Sequence, residues 1–203
     1  MEDTYKTISH QSPEVVFKEK GSVFYGYAFP IESENEIKPL LETLRRQHPH
    51  AVHCCYAYQL GTEFIQYRAN DDGEPSNTAG LPIYRQIQSF SITNVLVVVV
   101  RIFGGVKLGV GGLITAYKTT AQLVLESSEI IEKTINIHYC VCFEYKNINK
   151  VMRIIKENKI NITNQKIDTN CEIEIAIRKK HADRIFVIFN SIFEIEIKRI
   201  NIF

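Results

Sequence analysis

The sequence predicts an α+β protein of two units, and three observations carry that reading. Runs rich in valine, isoleucine and aromatic residues alternate with stretches whose apolar residues recur every three or four positions. The 203 residues are 45% hydrophobic and 23% charged, an ordinary globular balance with room for one large domain or two small ones. Charge divides the chain: residues 1–132 carry 11 Lys and Arg against 15 Asp and Glu, and residues 133–203 carry 13 against 8. The predicted boundary near Glu132-Lys133 has no Pro- or Ser-rich linker. This composition excludes disordered-tail, collagen-like and disulfide-scaffold classes.

The first unit opens with strands predicted at Val15–Lys18 and Val23–Ile31, around a turn at Lys20-Gly21-Ser22. A helix is predicted over Glu34–Gln47. Ser33 is its N-cap, Glu36 completes a capping box, and Ile37, Leu40, Leu41 and Leu44 form the apolar face. Pro39 lies one turn in and shifts the true start, and His48-Pro49 ends the helix. His53–Leu60 and Glu63–Arg68 flank Gly61-Thr62 as a hairpin. A polar loop, Asn70 to Thr78, leads into a helix predicted over Ala79–Phe90. Val95–Phe103 reads as a strand buried on both faces. It feeds a glycine-rich stretch and a helix carrying Leu113, Tyr117, Ala121, Val124 and Leu125.

In the second unit, Ile135–Phe143 alternates as a strand. Asn147 opens a helix with Ile148, Val151, Met152 and Ile155 on one face. Strands follow at Ile160–Ile167 and Cys171–Ile177, then a helix over His181–Ser191 with Ile185, Ile188, Phe189 and Ile192. A last strand is predicted over Phe193–Ile197. The order βαββαβ is the ferredoxin-like split βαβ arrangement.

Five cysteines, Cys54, Cys55, Cys140, Cys142 and Cys171, include no C-x-x-C pair, and their odd number argues against a closed disulfide framework. The first residues lack a basic start running into an apolar stretch, so no signal peptide is read. Val95–Val100, the longest apolar run, is far short of the roughly 20 residues of a spanning helix. The expected setting is the reducing cytoplasm, with no membrane partner.

Half of the ten glycines, Gly104, Gly105, Gly109, Gly111 and Gly112, fall within nine residues at a helix start. Free N–H groups there favour an anion, and Lys107 adds charge. The stretch lacks G-K-[ST], and Ile114 breaks a G-x-G-x-x-G reading from Gly109. Two readings stay open, a phosphate or nucleic-acid contact bordered by Arg101 and His53, and a tight crossover packed on a neighbour. Asp71, Asp72 and Glu74 could hold a divalent cation, with His53 and His50 completing a mixed site. The spacing matches neither H-E-x-x-H nor an EF-hand, so a capped, salt-bridged loop is the simpler account. Neither Cys54 nor Cys55 has a sequence-local base. On the first helix of the second unit Lys146, Lys150 and Arg153 share a face with Glu157, either a solvated surface or a phosphate contact.

Ala69-Asn70-Asp71-Asp72-Gly73-Glu74-Pro75-Ser76-Asn77-Thr78-Ala79-Gly80, with Val99-Val100-Arg101-Ile102-Phe103-Gly104-Gly105-Val106-Lys107-Leu108-Gly109 and Gly111-Gly112-Leu113, closely resembles the YigZ/IMPACT family. Lys20-Gly21-Ser22 with Phe24, and His53-Cys54-Cys55-Tyr56-Ala57-Tyr58, add to the match. The resemblance implies a two-domain, bacterial-type member. Residues 1–132 would be the IMPACT-type domain, like the second domain of a small-subunit ribosomal protein and domain IV of elongation factor G. Residues 133–203 would be like domain V of that factor. Eukaryotic members restrain the starvation-activated kinase that phosphorylates an initiation factor, through an extra N-terminal domain not found here, so that kinase-pathway partner is not expected. The family usually has Gly at the position of Asn77, Thr at Val110, and Arg at Thr115 and Val23.

The expected function is therefore regulation of translation by binding RNA, the ribosome or a translation factor, without a cofactor or resident metal and leaning away from catalysis. The nucleic-acid contacts would be Arg101, Gly104, Gly105, Lys107, Gly109, Gly111, Gly112, Lys150 and Arg153. The alternative is a metal-dependent hydrolase of peptides or phosphoesters using a pocket of His53, Asp71, Asp72 and Glu74.

Overall fold

The computed structural model describes residues 3–200, which divide into two compact units. One is Tyr5–Lys133; the other takes in residues 134–200 together with Asp3 and Thr4.

The first unit begins with β1 (Thr4–Ile8), β2 (Val15–Glu19) and β3 (Ser22–Pro30). The predicted helix from Glu34 is a 3-10 turn, Glu34–Glu36, followed by α1 (Ile37–Gln47). The capping box forms, the Glu36 carboxylate accepting the Ser33 N–H at 2.8 Å. Pro39 occupies the first turn of α1, where its missing N–H would have no helical partner. Then come β4 (His53–Leu60), β5 (Gln66–Asn70), α2 (Gly80–Ser89), β6 (Val95–Ile102), α3 (Gly109–Glu126) and β7 (Ile130–Thr134). The hairpin differs from the expected Glu63–Arg68. Asn94 Oδ1 accepts the Gly61 N–H at 2.9 Å, and Thr93 Oγ1 donates to the Gly61 carbonyl at 2.7 Å. This pins the turn to the entry of β6 and delays β5 to Gln66. β1 and β7, absent from the sequence reading, pair as a two-stranded ribbon.

Five strands form an antiparallel sheet in the order β2-β3-β6-β4-β5. β6 lies at its centre and reads as the unbroken apolar run that burial on both faces requires. Val95, Val97 and Val99 join Ile83, Ile87, Tyr117 and Val124 under α2 and α3. Leu96, Val98 and Val100 join Tyr27, Leu44, Cys54 and Tyr58 under α1. The adjacent Cys54 and Cys55 therefore belong to opposite cores. Each fully buried side chain of β6 contributes roughly 1.5–3 kcal/mol of transfer free energy.

The second unit runs β8 (Asn136–Glu144), a 3-10 turn, α4 (Ile148–Glu157), β9 (Asn161–Lys166), β10 (Asn170–Arg178), α5 (Lys179–Asn190) and β11 (Ile195–Ile200). Its antiparallel sheet has the order β11-β8-β10-β9, the split βαβ arrangement of a βαββαβ chain. Ile137, Tyr139, Val141 and Phe143 of β8 meet Val151, Ile155, Ile185 and Phe189 of the helices. On α4 the buried face is Val151, Ile154 and Ile155; Met152, assigned to that face from spacing, is exposed. The last strand starts at Ile195 rather than Phe193, which is 88% exposed. Asp3 is bound into this unit: Arg178 Nε reaches its carboxylate at 2.6 Å, and its carbonyl accepts the Ile135 N–H at 2.8 Å. The Arg178 guanidinium holds the Asp3 carboxyl below its ordinary range. No helix among the described residues is long and apolar enough to cross a membrane.

Val98→Ala, at the centre of β6, lowers unfolding stability by about 2 kcal/mol, whereas Phe193→Ala stays within about 0.5 kcal/mol. Urea unfolding followed by circular dichroism checks the pair. Equal effects would place Phe193 in the core.

Candidate functional site

Arg101 is the one charged residue of β6, and its guanidinium is buried. A charge taken out of water needs a counter-charge and hydrogen bonds. Both come from the loop between β5 and α2. Glu74, also buried, accepts from Arg101 Nη1 at 2.6 Å and from the Tyr117 hydroxyl at 2.8 Å through the same oxygen. Arg101 Nη2 lies 3.4 Å from the Ser22 hydroxyl, and the Gly104 N–H meets that hydroxyl at 3.3 Å. Phe24 and Phe103 flank the guanidinium with ring centroids 5.5 and 5.6 Å away. The Cys55 sulphur lies 3.3 Å from the Tyr117 hydroxyl and 3.0 Å from the Asp71 carbonyl. Arg101 Nε is buried without a partner.

The remaining acidic residues shape this loop. The Asp71 carboxylate accepts the N–H groups of Asn77, Ala79 and Gly80 at 2.8–2.9 Å, capping the start of α2. Asp72 accepts the Cys54 N–H at 2.7 Å and pairs with Arg45 at 2.8 Å. His53 Nδ1 lies 2.8 Å from the Asp72 carbonyl; a carbonyl only accepts, so Nδ1 carries the proton. Nε2 then faces Glu74 at 3.8 Å, beyond hydrogen-bond reach. The expected pocket of His53, Asp71, Asp72 and Glu74 does assemble around one loop. Its carboxylates serve Arg101, Arg45 and backbone amides, and no group of three metal-ligating side chains converges among the described residues. His50, exposed after α1, is part of no such group. The acidic loop is thus an internal clamp, and its geometry lends no support to the metal-hydrolase alternative.

The thiols here are chemically quiet. Burial pushes Cys54 up to about 11 and raises Cys55 and the Tyr117 phenol further. Both are buried among core side chains, which disfavours the thiolate.

The glycine-rich stretch divides by position. A Cβ on Gly104 would stand 1.9 Å from the Gly21 backbone, so here the tight-crossover reading holds, against the Lys20-Gly21-Ser22 turn. Gly105, Gly109 and Gly111 have nothing within 4 Å of such a Cβ, although Gly105 and Gly109 take positive φ. Gly112 packs on Leu108. Lys107 is exposed, followed by α3, whose first turn has no acidic residue. Arg101 does not border this surface as expected; it lies inside, in the clamp. Lys150 and Arg153 are exposed on α4 in the second unit, Arg153 lying 3.8 Å from Glu157, while Lys146 pairs with Glu144 and Glu194. Sequence reasoning missed Ser22, Tyr117 and Cys55 as members of the clamp. The signal was present: a lone arginine ending a buried strand demands a buried acid.

The Impact N-terminal domain family matches residues 20–125, spanning both the acidic loop and the glycine-rich stretch. The chain belongs to the IMPACT family. A family member from Haemophilus influenzae is 32% identical over 173 residues, 82% of each chain. The family member YvyE of Bacillus subtilis is 29% identical over 180 residues, 89% of this chain and 82% of that one. A crystal structure of a hypothetical protein, 24% identical, covers 99% of both chains at a TM-score of 0.75 and shares the fold. Asn77, where the family usually carries glycine, has φ 62°, a left-handed conformation that asparagine tolerates better than most residues.

Glu74→Gln leaves the buried guanidinium without its counter-charge and costs about 3–5 kcal/mol. Adding Arg101→Met to Glu74→Gln recovers part of that loss in chemical unfolding; simple additivity would mean the two residues do not act as a pair. Gly104→Ala destabilises by about 2–3 kcal/mol through the backbone collision, whereas Gly111→Ala, in open space on a helix, gains about 0.5–1 kcal/mol. Thermal melts of the two variants should move in opposite directions.

Proposed function

We propose that this IMPACT-family chain is a translation-associated regulatory protein of the cytoplasm that works by binding, its partner being RNA, the ribosome or a translation factor. The observation that carries this reading is the surface where α3 begins. Lys107 stands there with Phe103, Val106, Val110 and Ile114, all exposed, on the positive end of an 18-residue helix. Val110 and Ile114 are one turn apart on α3, so they share a face. Apolar side chains gathered in solvent mark interaction surfaces, and the helix start with Lys107 favours an anion beside them. Such a surface suits a partner with phosphates and apolar edges. Lys150 and Arg153 offer a second basic surface in the other unit.

The family resemblance supports a ribosomal setting, since it implies a first domain like those of a small-subunit ribosomal protein and of elongation factor G domain IV, and a second like domain V. Binding is favoured over catalysis because the acids and thiols of the first unit's interior satisfy one another.

Binding to bulk cellular RNA and to purified ribosomes, measured across a salt series, tests the reading. Affinity should fall steeply with salt, and Lys107→Ala should weaken it and lower the log–log slope by about 1. The Lys150→Ala/Arg153→Ala variant reports on the second surface. Absence of binding at low salt, or binding indifferent to both salt and Lys107, would overturn the proposal.

A further inference from the structure

Charge is divided unevenly over the sheet and helices of the second unit. The sheet face away from α4 and α5 carries Glu172 and Glu174 on β10 and Glu196 on β11, opposite Cys140 and Cys142 of β8. Lys198 shares that face and is held by Glu196 at 2.8 Å. Register fixes what meets at each end of the sheet. β9 opens at Asn161 opposite Ala176, two residues before β10 closes at Arg178. Lys156 in the last turn of α4 and Lys159 just after it therefore stand at the same end as Lys180 and Arg184 in the first two turns of α5. All four are exposed. The acids nearby are engaged or few: Asp3 is held by Arg178, Glu157 lies 3.8 Å from Arg153, and Asp183 is the one acid of α5. At the opposite end Glu144 and Glu194 gather around Lys146. The exposed tyrosine and phenylalanine among the described residues of this unit, Tyr145 and Phe193, adjoin those two glutamates in sequence.

We infer that the helix layer docks the phosphate backbone of double-stranded RNA at the end where Lys156, Lys159, Lys180 and Arg184 meet, an inference that rests on the RNA-binding reading above. Cations that neutralise phosphates and release their counterions supply the sequence-independent part of such affinity. An RNA duplex presents phosphates and 2′-hydroxyls while its bases stay stacked inside, so a surface of cations without exposed tyrosine or phenylalanine suits it. A single strand is held by stacking its bases on aromatic side chains, and here Tyr145 and Phe193 lie at the far, acidic end. RNA-recognition modules with a four-stranded sheet stack bases on the open sheet face. In this unit that face presents Glu172, Glu174 and Glu196, which repel phosphate. Lys150 and Arg153 extend the basic surface along α4.

The experiment titrates the full chain with a short RNA duplex of mixed sequence, and with either strand alone, across a salt series. Lys156→Ala/Lys180→Ala/Arg184→Ala should weaken duplex binding and lower the log–log salt slope by about 3, one for each cation removed. Glu172→Gln/Glu174→Gln, on the open sheet face, should leave the slope unchanged. Duplex should also protect Lys156, Lys159 and Lys180 of the unaltered chain from acetylation, read peptide by peptide by mass spectrometry, while Lys146 at the opposite end stays reactive. That readout is independent of how the triple variant folds and of any contact made by the first unit. A slope unchanged in the triple variant, or acetylation that duplex leaves as it was, would overturn this docking surface while RNA binding by the chain still upheld the broader reading. Equal protection by a single strand would overturn the assignment to duplex. An unaltered chain that binds neither RNA nor ribosomes at low salt would overturn both.

Discussion

A guanidinium at the end of a strand buried on both faces cannot be left without a counter-charge, and much of the first unit is arranged to provide one. Desolvating such an ion costs several kcal/mol, which only good geometry and further hydrogen bonds can offset. Glu74 supplies the charge, Tyr117 fills out its oxygen, and the Ser22 hydroxyl and two phenyl rings line the rest. Around Glu74 the loop takes left-handed conformations at Asp72 and Gly73 before it and at Asn77 after it. Asp71 then fixes the start of α2, and Asp72 ties the same loop to Arg45 at the end of α1. One ion pair thus couples the central strand to all three helices of the unit.

Its interior resembles a catalytic centre in composition, with histidine, cysteine, tyrosine, two aspartates and a glutamate close together. Its groups are set apart by accessibility and occupancy. Each acid already receives its donors, and burial pushes the Cys55 thiol and the Tyr117 phenol upward. The surface where α3 begins is the opposite in character: glycines with open space around them, one lysine, and apolar side chains standing in water. Rigidity inside and an accommodating loop outside are complementary, because a loop anchored at Gly104 presents its next residues in one place.

The sequence revealed what is local. The β6 run, the Ser33–Glu36 capping box and the alternation of Ile173, Ile175 and Ile177 each follow from neighbours within a few residues, and each is present in the fold. What it hid is long-range. β1 and β7 lie more than 120 residues apart, and nothing in either five-residue segment names its partner. The delayed start of β5 depends on Thr93 and Asn94, some thirty residues on. The acidic loop was legible as a cluster but ambiguous in purpose, since two aspartates and a glutamate look alike whether they face a cation, a helix end or an arginine. Only the β4–β6 register, which puts His53 opposite Arg101, brings the guanidinium to Glu74.

The Asp3–Arg178 contact has a consequence in time. As the chain emerges from synthesis at roughly 5–20 residues per second, Asp3 waits about 10–35 seconds for Arg178 to be made. Tyr5 to Ile8 wait about 6–25 seconds for β7, while the five-stranded sheet needs nothing beyond Ile102. Until Ile130–Thr134 is made, β1 therefore has its bridge to Ile92 and its hydrogen bonds with Thr93 and Asn94, while the edge that β7 will take stands open to pairing with another chain.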